Sequence, residues 1–111
     1  MKIAFPANGS VIASHFRHCA EFRVFDVDNN KKIVNQSSIE NSGEHKPGVL
    51  PQVLQKHGIE VVIADGIGQK AINLFNEAGI KVITGASGLI EEALRRFLNG
   101  TLQDGGNICS H

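Results

Sequence analysis

A chain of 111 residues with a hydrophobic fraction of 41% is long enough for one compact domain with a real core and too short for a second. Lys and Arg number 11 and so do Asp and Glu, so the formal charge of +0 supplies none of the basic field that nucleic-acid binding requires. No apolar run approaches the roughly 20 residues of a membrane-spanning helix, and two cysteines are too few for a disulfide framework.

Met1 to Phe5 could open a signal peptide, but the apolar stretch stops at once at Pro6-Ala7-Asn8-Gly9-Ser10, and a cytoplasmic protein with free or metal-bound thiols is expected. Lys2 to Phe5 reads as a short buried strand, and a loop follows to about Ala20. Phe22 to Val27 is rich in strand formers, Asp28-Asn29-Asn30-Lys31 carries turn chemistry, and Lys32 through Ile39 extends again, which predicts a hairpin.

After the polar loop Asn41 to Gly48, helices and strands alternate to about residue 100. Val49, Leu50, Val53 and Leu54 form a helical stripe, with Pro51 tolerable in the first turn and Gly58 as the stop. Glu60 to Ala64 is a strand. Gln69 to Ala78 is a helix with Ala71, Ile72, Phe75 and Ala78 inward, closed by Gly79, and Ile80 to Ile83 is a further strand. In the last helix Ser87 is placed to cap, Glu91 and Glu92 sit in the early turns, Arg95 and Arg96 lie four residues on, and Gly100 ends it. The tail 101–111 has no helical period and is expected to be flexible, outside a single domain of residues 1–100.

The order βββαβαβα, with right-handed crossovers, predicts an α/β three-layer sandwich of the ribonuclease H-like type. Its mixed five-stranded sheet holds one antiparallel strand, Phe22 to Val27, beside the first. Five His and two Cys can bind a soft metal. All but His57, which falls at a helix end and is given no function, lie in loop or tail segments: His15, His18, Cys19, His45, Cys109 and His111. The expected topology sets the loop with His15 and Cys19, the loop with His45 and Lys46, and the junctions Asp65 to Gly68 and Thr84 to Gly88 at one edge. There, at the crevice between the first and fourth strands, open α/β sheets bind ligands. Gly66, Gly68, Gly85 and Gly88 expose backbone near helix N-termini, which favours an anion, though tight turns alone also call for glycine. Neither pair has Walker spacing. An extended tail of about 36 Å could bring Cys109 and His111 back to this edge.

Five segments resemble, together and in order, the dinitrogenase iron-molybdenum cofactor biosynthesis family, the NifX and NifB C-terminal-like proteins. They are Ser14-His15-Phe16, Phe22 to Asp28, Val61 to Gly68, Ala78 to Val82 and Glu91 to Leu94. The resemblance spans residues 1 to about 102. It implies a ribonuclease H-like fold and a non-catalytic role in binding or delivering an iron-sulfur or molybdenum-containing cluster, with donor and acceptor proteins as partners. In the family's first-loop pattern His15 and Phe16 match and Cys19 fits, whereas Arg17 and His18 stand where Gly and Arg are usual. His45 takes the place of the family's second-loop histidine.

The expected ligands are thus His15, Cys19 and His45, with Cys109 and His111 as a further pair, and Arg17 and Lys46 as counter-charges. Cys19 reads first as a small buried hydrophobe and second as a ligand. The alternative is a zinc- or small-anion-binding regulatory module, monomeric or homodimeric. A metal-dependent nuclease of this fold would need a carboxylate on the first strand, and Lys2 to Phe5 has none.

Overall fold

The computed structural model describes residues 1–14, 16, 19–40, 49–100 and 108–109. Strand β1, Lys2–Asn8, decides the layers, because a period of two sends Ile3 and Phe5 into one core and Ala4 into the other. It runs further than the expected stop at Phe5. Its parallel neighbour β5, Val61–Ile63, pairs only with Ile3 and Ala4, so Pro6 lies beyond that ladder and takes no bond from it.

Strand β3, Glu21–Val27, pairs antiparallel with β1 and with β4, Ile33–Glu40, as the hairpin reading expects. The Asp28 carboxylate closes the turn by accepting the N–H of Asn30 at 2.8 Å and of Lys32 at 3.0 Å, the local bonding that makes Asp a turn residue. Strand β7, Lys81–Ile83, pairs parallel with β5 and completes the order β4-β3-β1-β5-β7. Of these only β3 runs against the rest. Strand β5 is buried along its whole length, the signature of a parallel strand covered on both faces.

Helices α1, Val49–Lys56, and α2, Gln69–Glu77, cover one face, where Leu54, Ala71 and Phe75 meet Ala4, Phe22, Val24 and Val62. Helix α3, Ile90–Leu98, covers the other, where Ile90, Ala93 and Leu94 meet Ile3, Phe5, Phe25 and Ile63. The protein is therefore an α/β sandwich with three helices among the described residues.

Two details correct the sequence reading, and a third lies in the tail. The sheet has six strands rather than five, because β2, Val11–Ile12, folds back onto Ala7 and Asn8. Ser87 does not cap α3: the cap position is Leu89, with extended backbone and no side-chain bond, and the Ile90 N–H donates to the Ser10 carbonyl at 3.0 Å instead. The tail contributes strand β8, Ile108–Cys109, which pairs parallel with β6, Ile67–Gly68, in a small second sheet. None of the helices among the described residues is long and apolar enough to cross a membrane.

Candidate functional site

At the carboxyl ends of β1, β5 and β7 the chain makes three connections, and main-chain hydrogen bonds lace them together. On one flank the Ile12 N–H donates to Gly88 O at 2.9 Å, and Val11 bridges Leu89. On the other, the Gly66 N–H donates to Ser14 O at 3.3 Å while the Phe16 N–H donates to Gly66 O at 3.2 Å. The turns after β5 and β7 are joined in turn by Gly85 N–H to Asp65 O, 3.0 Å, and Ala86 N–H to Ala64 O, 3.1 Å. β1 and β5 are neighbours from which the chain departs toward opposite sheet edges, so this is the switch-point crevice of the fold.

Phe16 holds the first loop down. It is 3% exposed, and its ring centroid lies 5.3 Å from that of Phe22 and 5.3 Å from that of Phe75, the latter edge-on. Sequence reasoning used Phe16 only as part of a motif. Its buried anchor between two polar positions was the available signal. Ser10, whose carbonyl caps α3, carries no such signal because a main-chain acceptor has no side-chain identity.

The four glycines divide by cause. Gly66 and Gly85 spend their N–H groups on Ser14 and Asp65, so they shape the crevice rather than offering donors to it. Gly85 and Gly88 have φ of 81° and 87°, which L side chains adopt only with strain. Gly68 has neither reason: its φ is −71° and ψ 151°, and a Cβ built there meets nothing within 4 Å. It stands at the N-terminus of α2 with no side-chain cap.

Cys19 is 4% exposed and packs in the cluster that holds Phe16, Phe22 and Phe75, the packing role that competes with ligation. β4 runs parallel to β1, so it ends with Glu40 at the same edge as the crevice. The main-chain register of β8 sets Cys109 beside Gly68 at this edge. His15, Arg17, His18, His45, Lys46 and His111 lie outside the described residues, as does the side chain of Cys109. Among the described residues no group of three or more His, Cys, Asp or Glu gathers as a metal site.

A small mixed α/β domain with its crevice at the switch point, rimmed by glycine turns and crossed by the loop after the first strand, defines a class of fold and not an activity. The family model described as dinitrogenase iron-molybdenum cofactor matches residues 1–100, and the chain belongs to that family of small NifB/NifX-like proteins. An uncharacterized protein of Methanocaldococcus jannaschii is 32% identical over 107 residues, covering 93% of this chain and 90% of that one. The crystal structure of the protein PH0822 superposes with a TM-score of 0.87 at 31% identity, over 96% of both chains. The apo form of the orange protein from Desulfovibrio gigas gives 0.76 at 28% identity, over 96% of this chain and 93% of that one.

Proposed function

We propose that this protein binds an anionic iron-sulfur or molybdenum-containing cluster at the switch-point crevice and passes it from a donor to an acceptor protein in the cytoplasm, with no catalysis of its own. Family membership supports the class of cargo. Gly68 carries the placement, because a glycine with ordinary dihedrals and open space on the side a Cβ would fill leaves room for a guest beside the start of α2, while β8 pairs with the edge of its main chain. Ser14 and Phe16, on either side of His15 in the chain, are both bonded to Gly66, which supports His15 as the first ligand. His45 follows β4 from the same edge and is the second, with Arg17 and Lys46 offsetting the charge of the guest. The antiparallel strand beside β1 supports the ribonuclease H-like assignment of the fold.

Anaerobic reconstitution with iron and sulfide, and separately with molybdate and thiomolybdate, tests the reading. Charge-transfer absorption is expected, and it is lost when His15→Ala and His45→Ala are combined. A protein that stays colourless under every such condition overturns it.

One observation favours a second reading. The register that sets Cys109 beside Gly68 supports a zinc site built on Cys109 and His111. Stoichiometric zinc without sulfide, in protein purified with no added metal, would select it.

A further inference from the structure

We propose that β4 is an interface on which a second copy of this chain docks, strand against strand and antiparallel. β4 is an outer strand of the sheet, and every residue from Ile33 to Glu40 except the half-buried Ile39 is exposed. Neither helix layer covers it. Natural edge strands are blunted by lysine, proline or short length, since an open row of N–H and C=O groups templates pairing with another chain. This edge has 8 residues, no proline, and no charge between Lys32 and Glu40. Its one irregularity is a bulge at Val34, a device that also blunts edges, and it leaves Asn35 to Glu40 in regular register. Near its middle the Gln36 N–H donates to the Asn35 Oδ1 at 2.9 Å, a side chain standing in for a strand carbonyl.

The charges at the two ends select the occupant. Lys31 and Lys32 precede the strand and Glu40 ends it, all exposed. Glu40 lies directly opposite Glu21 in the β3 register, a like-charge pair, and Glu21 is already bonded by Arg23 at 3.4 Å. Glu40 has no cationic partner among the described residues. A two-fold antiparallel pair brings the lysine end of each copy beside the Glu40 end of the other, whereas a parallel pair would set like charges together. With Gln36 on the two-fold axis, the exposed Ile33 of each copy then faces Ile39 of the other. The two main sheets join into one, and the two crevices point in opposite directions, so the interface is independent of cluster binding.

Sedimentation of the full chain from about 10 µM to about 1 mM reads the association, which a short strand-edge interface makes weak. A concentration-dependent dimer is expected, with amide shifts in the NMR spectrum that move with concentration at residues 33–40. Gln36→Lys or Gln36→Glu alone, each at an exposed position, should weaken the dimer about tenfold, and mixing the two variants should restore it. Lys32→Glu should weaken it as well, and adding Glu40→Lys to the same chain should recover it. A monomer at every concentration, or a dimer indifferent to these changes, overturns the proposal.

Discussion

Gly68 and Gly88 sit at the same edge of the sheet and are glycine for opposite reasons, which makes them a matched pair of probes. At Gly88 the φ of 87° strains any L side chain, so Gly88→Ala should cost about 1–2 kcal/mol in thermal or chemical denaturation. At Gly68 the φ of −71° suits alanine and the space is open, so Gly68→Ala should leave stability unchanged or raise it by roughly 0.4–1 kcal/mol through the unfolded chain. The same substitution places a methyl group where the cluster is proposed to approach, and the absorbance of the reconstituted protein should fall severalfold. A Gly68→Ala variant that takes up cluster like the parent would detach Gly68 from the site. Asp65 adds a sharper electrostatic probe. It is half-buried in the turn after β5 and brings a negative charge to the edge assigned to an anionic guest. Asp65→Asn removes a like charge and should tighten thiomolybdate binding severalfold at low salt, an effect that fades as salt screens it.

At the scale of elements, legibility followed periodicity. The helices over Val49–Lys56, Gln69–Glu77 and Ile90–Leu98 declare themselves by an apolar stripe and a glycine stop, and the hairpin by β-branched and aromatic runs around Asp28. The strands β2, β6 and β8 have two residues each, too few for any period: β2 folds back on Ala7 and Asn8 across the Gly9-Ser10 turn, and β6 and β8 exist because a distant backbone offers a partner. The cap of α3 was misread for the same reason: Ser87 has the right side chain, but the Ser10 carbonyl arrives first from the loop after β1. Ser87→Ala should therefore change stability by less than about 0.5 kcal/mol, where a true cap would cost about 1 kcal/mol in a denaturant titration. For the candidate site, the described residues bring the loop after β1 and the turns after β5 and β7 together, while His15 and His45 lie outside them. Topology fixes which loops share the crevice, whereas Cys19 shows that a ligand-type residue at a strand entrance can go into the core. Deleting residues 101–111 tests what β8 adds. The family match ends at residue 100, so the shortened chain should keep its fold by circular dichroism while the Ile67 and Gly68 amides exchange faster with solvent.

For the molecule as a whole, the sheet binds two cores into one cooperative unit. β1 gives Ile3 and Phe5 to the α3 side and Ala4 to the α1 and α2 side, and β5 likewise gives Val61 and Ile63 to one and Val62 to the other. Neither core can melt without unpairing strands that hold the other. Phe75 is the test of this coupling. It is fully buried between α2 and the sheet, and its ring meets Phe16, which in turn anchors the crevice loop. Phe75→Ala should cost about 3–5 kcal/mol, a large share of the roughly 5–15 kcal/mol that a domain of this size holds in total. The chain has no Trp or Tyr, so the transition is best followed by far-UV circular dichroism and by hydrogen exchange of individual amides. In the variant, amides of α3 on the far face should lose protection together with those of α2, at one common free energy. If α3 and its apolar cluster kept the parent's protection while α2 opened alone, the two faces would be separate folding units, and the sheet would be a partition between them rather than their link.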